Sequence, residues 1–290
     1  MHPDCEQCLY RQVQDLFIKH NIKSASLRTE IQNKIRVYLH KQGIENVSAP
    51  QASIFTNRLI QHHSGISDLY FEEKETYNRL LLDLYDGLMT SIRSADKPEE
   101  AALRYALAGN IIDFGPPGSF DVHVALASAL EKKPAIDHSE ILFSELQKAK
   151  TVLYLGDNAG EIVADKLFIN TIRHPNLYFA VRGAPVMNDV TLEDAYSVGM
   201  DKEARIISNG YDAPSTLLKE CSSEFLTVYD QADMVISKGQ GNLEGLIDEE
   251  NKKIFFLLMV KCEVMGKKVG ANVGDVVIWF NQMKPSSLKT

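Results

Sequence analysis

The sequence predicts an α/β protein in two parts: an all-helical subdomain over residues 1–149 and a doubly wound α/β domain with a mainly parallel sheet over 150–290. Three observations carry this. Up to about residue 150, apolar residues recur at helical spacing. Beyond it the period shortens, and brief apolar runs rich in β-branched and aromatic residues alternate with helical patterns. Four of the five runs close on a glycine, and strands that alternate with helices build a parallel sheet covered on both faces.

Taken in order, residues 4–20, 25–42 and 50–63 are amphipathic helices. The longest helical pattern covers 69–94, where Leu80, Leu81, Leu84, Leu88 and Ile92 form one stripe. The helix at 97–115 opens with Pro98, Glu99 and Glu100, which suit a first turn. It stops at Gly115-Pro116-Pro117-Gly118. Shorter helices follow around 120–130 and 138–149. The expected strands are 151–156, 177–183, 204–210, 233–239 and 253–260, with 274–279 a candidate late strand.

Composition narrows the partners. The chain has 290 residues, 44% hydrophobic, an ordinary content for a buried core. Its net charge of −8 lacks the basic stripe that a nucleic acid needs. The opening "MHPDCEQC" has no signal-peptide core. The longest apolar run, 254–260, falls far short of the ~20 residues that span a bilayer. A soluble cytoplasmic protein with no membrane or nucleic-acid partner is expected. Cys5 and Cys8 form a lone C-x-x-C on one helical face with Leu9, Val13, Leu16 and Phe17. That spacing predicts buried helix-face thiols, with a redox pair or a metal site completed by Cys262 as the alternative.

In an open parallel sheet, ligands bind beyond the carboxyl ends of the strands. The loop after the first strand carries Asp157, Asn158 and Glu161, and the loop after the second carries Arg182, Asn188 and Asp189. Lys238, Asn242 and Glu244 follow the fourth, and Lys261 and Cys262 the fifth. Asp157, Asn158 and Asp189 are hard oxygen donors suited to Mg²⁺ or Mn²⁺. Two carboxylates facing each other without a cation would repel. Lys238 and Lys261 add positive charge, and the glycines of "KGQGN" permit close backbone approach. Together these groups describe a site for a phosphorylated small molecule. Taken singly, Asp157, Asn158 and Asp189 also read as helix caps, and Lys238 as a solvated charge. No P-loop, G-x-G-x-x-G turn or G-x-S-x-G elbow occurs, and the eight histidines form no convincing metal set.

In this order, "GDNAGEIVAD", "RGAPVMNDVT" and "SKGQGNLEGL" resemble the metal-dependent damage-control phosphatase family, first catalogued as domain of unknown function 89. "DLYFEEKETYN" (68–78), "AGNIIDFG" (108–115) and "VKCEV" (260–264) extend the resemblance into the rest of the chain, and it is strongest to the compact, cysteine-containing archaeal and bacterial branch. The resemblance implies a Rossmann-like three-layer α/β/α core with a helical subdomain. It implies a divalent metal on Asp157, Asn158 and Asp189, with Mn²⁺, Co²⁺ or Ni²⁺ preferred to Mg²⁺. Hydrolysis of sugar phosphates or damaged phosphometabolites would follow. Asp157, Glu161 and Lys238 would be catalytic, with Lys238 on the phosphate. Asn110 and Asp113 would reach the cleft, and Arg182, Asn242 and Lys261 would join Lys238 in binding substrate. An S-adenosylmethionine-dependent carboxyl methyltransferase and a non-catalytic binder of metal and phosphometabolite remain the alternatives.

Overall fold

The computed structural model describes residues 1–111 and 122–283. Each helix of the first three has a clear local start. α1 (Pro3–Lys19) begins with proline in its first turn, and the His2 ring accepts from the Asp4 N–H. α2 (Ala25–Gln42) is capped by Ser24. α3 (Ala49–Ser64) opens with a Ser48/Gln51 capping box. Their apolar faces close on one another through Val13, Phe17, Ile31, Ile35 and Ile60.

α4 (Phe71–Arg93) and α5 (Pro98–Ile111) follow, then α6 (Val122–Glu131) and α7 (Ser139–Lys148). The sheet is formed by β1 (Ile136–Asp137), β2 (Val152–Leu155), β3 (Leu177–Val181), β4 (Arg205–Ser208), β5 (Met234–Lys238), β6 (Ile254–Met259) and β7 (Val276–Phe280). Their order is β1-β7-β6-β5-β2-β3-β4, parallel except for the β6–β7 pair. Between the strands run α8 (Glu161–Ile172), α9 (Leu192–Ser197), α10 (Ser223–Gln231), α11 (Gly239–Leu246) and α12 (Glu263–Val269).

The side chains of β2 alternate between two cores. Val152 and Tyr154 join α4, α5 and α8 through Leu81, Leu103, Leu107 and Phe168. Leu153 and Leu155 join α10, α11 and α12 through Phe225, Leu243 and Met265 on the other face. α4 and α5 therefore share a core with the sheet. Gly109 makes this contact close: a Cβ there would lie 3.0 Å from the Ala164 Cβ of α8. From β2 the chain winds to β3 and β4 on one side, then returns to β5 and β6 on the other. The crevice between the ends of β2 and β5 is the switch point where such sheets bind ligands.

One detail differs from the sequence expectation, and the candidate late strand is present. β1 pairs with β7 at the sheet edge, so residues 136–137 are not part of an all-helical stretch. A two-residue strand is too short to show any period. The late strand forms as β7 but runs antiparallel to β6. The end of the expected 97–115 helix beyond Ile111 lies outside the described residues.

A buried ion-pair cluster joins the helical half to the sheet. Lys74, only 3% exposed, lies 2.9 Å from Asp68 Oδ2 and 2.6 Å from Asp194 Oδ2 at the start of α9. One turn on, Asn78 Oδ1 accepts the Gly160 N–H at 2.7 Å, just before α8. Replacing Lys74 with Met leaves two carboxylates facing each other with little water. The expected loss is about 3 kcal/mol of unfolding free energy in urea titration. A Lys74→Met protein as stable as the wild type would show that the cluster does not hold the halves together.

Candidate active site at the strand ends

The loops after β2 and β3 zip together. The Val190 N–H donates to Asp157 O and the Ala159 N–H to Asn188 O, both at 2.9 Å, and Asn158 and Asp189 form an isolated antiparallel bridge. This backbone pairing brings Asp157, Asn158 and Asp189 side by side at the switch point. The turn after β5 closes the third side. Gly239 has φ +76°, and a Cβ there would lie 1.8 Å from Asp157 Oδ2. Glycine at 239 therefore supplies both a left-handed turn and the space that the carboxylate occupies.

Side chains hold the acids from behind. Asp157 Oδ2 accepts from Asn158 Nδ2 at 3.0 Å and from Asn110 Nδ2 at 3.4 Å. Arg182 donates from Nε to Asp189 Oδ1 at 2.7 Å, and its Nη2 lies 3.5 Å from Asp157 Oδ1. Its Nη1 donates to Asn242 Oδ1 at 2.9 Å. Deeper still, Lys238 Nζ contacts Glu161 Oε1 at 2.6 Å, Asp165 Oδ1 at 2.5 Å and Ala106 O at 2.7 Å. The contacts to Asp165 and Ala106 O are hydrogen bonds, and the Glu161 carboxylate adds an ion pair. Tyr154 donates its hydroxyl to Asp165 Oδ1 at 2.7 Å. Asn110 links the layers, donating to Glu161 Oε2 at 3.1 Å and accepting the Met259 N–H.

The charges do not balance. Around this crevice, the buried carboxylates of Asp157, Glu161, Asp165 and Asp189 face the buried cations of Arg182 and Lys238. The formal excess is two negative charges. Burial, then the charges of Asp189 and Glu161, push Asp157 up to about 8 despite Arg182 and Lys261. Burial likewise raises Asp189 against the pull of Arg182. Asp165 rises to about 7, with burial outweighing Lys238. Burial opposes the charge of Lys238, yet Asp165 and Glu161 hold its pKa above the ordinary lysine value. Among the described residues, no three His, Cys, Asp or Glu side chains are placed to hold a metal by themselves. A third protein donor would have to be the Asn158 amide oxygen, since Asn158 Nδ2 is turned to Asp157 and Glu161. Two carboxylates, an amide oxygen and an excess of two charges fit a hard divalent cation.

A cleft of about 650 Å³ opens above these donors. Lys261 and Gln240 line its sheet side, and α1 and α3 line the opposite wall with Arg11, Gln12 and Ser53. Lys261 is exposed, its backbone N–H fixed to Gln240 Oε1 at 2.8 Å.

The structure thus brings Asp157, Asn158, Asp189 and Lys261 to one cleft and places Arg182, Asn110 and Glu161 behind them. The expected contact of Lys238 with a phosphate does not fit this geometry: its ammonium is fully buried, hydrogen-bonded to Asp165 Oδ1 and Ala106 O and ion-paired with Glu161. Asn242, also fully buried, donates to Gly156 O and Lys238 O and ties the ends of β2 and β5 together rather than facing substrate. Asp113 lies outside the described residues. Cys5 and Cys262 are half-buried and Cys8 is exposed, all three on the cleft wall. The buried-thiol expectation fails because the first turn of α1 overhangs the cleft, while Leu9, Val13, Leu16 and Phe17 alone face the core. Asp165 joins the site although it lies beyond the loop, one turn into α8. Its signal was an acid at i+4 from Glu161 within the apolar pattern of α8.

Fold and crevice define a class: a doubly wound α/β protein in which carboxylates and an amide converge at the switch point beneath a helical cover. The damage-control phosphatase ARMT1-like domain matches residues 1–277, and the chain belongs to that family. An uncharacterized protein of Methanocaldococcus jannaschii is 31% identical over 286 residues, covering 95% of this chain and 94% of that one. A damage-control phosphatase of Archaeoglobus fulgidus is 33% identical over 228 residues, 76% of this chain and 78% of its own. The crystal structure of a DUF89 family protein from Pyrococcus horikoshii superposes with a TM-score of 0.88 at 28% identity, covering 97% of this chain and 99% of that one.

Two outcomes are expected from this geometry. Mn²⁺ at 100 times its dissociation constant should stabilise the wild type by about 2.7 kcal/mol, raising the melting temperature by several degrees. Gly239→Ala, whose methyl displaces the Asp157 carboxylate, should lose most of that rise. An undiminished rise would place the ion elsewhere. The second outcome concerns pH. Asp165 has its folded pKa raised from 3.8 to about 7. Between these values the folded protein keeps a proton that the unfolded chain releases, so stability falls as pH rises from about 4 to about 7. Asp165→Asn has no proton to release there, and its metal-free stability in urea should fall less steeply. Equal slopes would mean that Asp165 is ionised throughout.

Proposed function

We propose that this protein is a metal-dependent phosphatase that hydrolyses phosphate monoesters of small metabolites in the strand-end cleft. The observation that carries the reading is the four buried carboxyl groups set against two buried cations at the switch point, directly beneath a cleft with an exposed lysine. The family of the chain, and relatives named damage-control phosphatases, support it. The cleft is of a size that encloses one small ligand. Asp157, Asn158 and Asp189 would hold the cation, and oxygen donors of this kind accept Mn²⁺, Co²⁺, Ni²⁺ or Mg²⁺. When bound, such an ion supplies a Lewis acid for a phosphoryl oxygen and lowers the pKa of water.

The remaining work falls to the chain. Lys261 neutralises phosphate oxygens as the substrate enters. Arg182 fixes Asp189 and balances part of its charge. Asn110 sets the orientation of Asp157 and Glu161. Lys238 acts from behind as a positioning residue, anchoring Glu161 against Asp165. Among the described residues no helix is long and apolar enough to cross a membrane, and a place in the cytoplasm suits metabolite substrates.

The test uses metal-stripped protein with p-nitrophenyl phosphate and a panel of sugar phosphates, each divalent ion added singly. Metal-dependent turnover is expected, and Asp157→Ala should lower kcat/KM by at least 100-fold, about 2.7 kcal/mol of transition-state stabilisation. Activity that survives this substitution intact would overturn the assignment.

A further inference from the structure

The proposed hydrolysis uses none of the thiols that face its cleft. Cys5, in the first turn of α1, and Cys262, the residue before α12, both line the main cleft. Both also line a second cavity of about 340 Å³, and Glu244 lines the two cavities with them. The two sulfur-bearing residues thus sit with Glu244 on the partition between the cavities. They come from opposite ends of the chain, and all four cysteines of the protein are free. Burial, followed by the charges of Glu244 and Cys262, pushes the Cys5 thiol up, which independently places these groups within one another's field.

Cys262 is wired to the phosphate side of the cleft. Its Sγ accepts a hydrogen bond from Gln240 Nε2 at 3.5 Å. The same amide nitrogen donates to Glu244 Oε1 at 3.0 Å, and the amide oxygen accepts the Lys261 N–H at 2.8 Å. Gln240 in turn follows Gly239, the residue packed against Asp157. A change at the Cys262 sulfur therefore reaches the exposed lysine through one side chain.

Metal ligation by these thiols does not fit, because no three His, Cys, Asp or Glu side chains among the described residues are placed to share an ion. Pairing needs only two. We propose that Cys5 and Cys262 form a peroxide-responsive dithiol site that closes to a disulfide across the cleft wall and weakens substrate binding. In the first step the Cys262 sulfur attacks hydrogen peroxide. The S–O bond forms, the O–O bond breaks, and one water leaves as a sulfenic acid forms. Cys5 then attacks that sulfur. The S–S bond forms, the S–O bond breaks, and the departing hydroxide takes the Cys5 proton as a second water. The two thiols lose two electrons and the peroxide gains them. A small-molecule thiol reverses the pairing by exchange. Closure ties the first turn of α1 to the Lys261–Cys262 segment and perturbs the Gln240 amide, which holds both the Cys262 sulfur and the Lys261 N–H.

This regulation rests on the phosphatase reading, but the disulfide itself is read without any activity assay. The reduced protein is treated with a small excess of hydrogen peroxide and digested without reductant. The expected product is a peptide pair joining Cys5 to Cys262, lighter by two hydrogens and lost on dithiothreitol. Oxidised protein with no Cys5–Cys262 link, a Cys8–Cys262 or Cys5–Cys8 link included, would overturn the proposal, whatever the enzyme's substrate. With p-nitrophenyl phosphate, oxidation should raise KM at least three-fold, and dithiothreitol should restore it. Cys5→Ser and Cys262→Ser, each compared with its own reduced form, should lose this response. Cys221→Ser should keep it, since Cys221 lies apart with its thiol directed at Leu217 O. A linked protein whose KM is unchanged would overturn the regulatory role, and a response that survives both serine variants would overturn the pair.

Discussion

The structure is organised around an excess of buried negative charge. Taking a carboxylate out of water is costly unless partners replace its hydration. Asp157, Glu161, Asp165 and Asp189 are all buried, and the protein meets that cost only in part. Arg182 is spent on Asp189 and reaches Asp157 more weakly, while Lys238 is shared between Glu161 and Asp165. Asn110 and Asn158 supply amide hydrogen bonds that carry no net charge. The remaining imbalance is concentrated where a cleft gives access. A fold that wished only to be stable would have apolar residues there.

The other features serve to keep those acids in place. Backbone pairing of the loops after β2 and β3 holds Asp157 and Asp189 side by side. Asn242 spans the ends of β2 and β5 and so holds the switch point at one width. The helical half contributes two kinds of restraint. Its apolar face merges with the core over α8, and Lys74 and Asn78 pin the segments that lead into α9 and α8. Glu161 begins α8, so the packing of α4 and α5 on that helix also determines where a carboxylate of the site lies.

The outline of this arrangement was legible in the sequence because the responsible signals are local. A change of period announces the sheet, and polar residues placed just after apolar strands must reach its carboxyl edge. Asp157, Asn158 and Asp189 could be grouped on that basis alone. Depth was not legible. Lys238 ends β5 and Lys261 follows β6, yet one ammonium lies behind the acids and the other faces solvent. The difference is made by Asp165 on α8 and by Ala106 O on α5, contacts that span 73 and 132 residues of sequence. The cysteines show the same limit. Cys5 and Cys8 share the apolar spacing of Leu9, Val13, Leu16 and Phe17, yet the core does not extend beneath the first turn of α1, an end point that no local pattern encodes. β1 was missed because its strand character comes wholly from β7.

The split between buried and exposed cations also constrains the order of events in the proposed reaction. A phosphate monoester entering the crevice alone would meet carboxyl groups that outnumber their buried cations by two, with Lys261 and Arg11 as exposed cations on the cleft wall. Arg182 and Lys238 cannot turn toward it without abandoning buried carboxylates, which would cost several kcal/mol for each ion left unpaired. A divalent cation held by Asp157, Asn158 and Asp189 would offset that excess and leave Lys261 free to act on the ester. In this reading the buried cations preserve a geometry that they do not themselves offer to the substrate. An enzyme built this way is expected to bind its metal before its substrate.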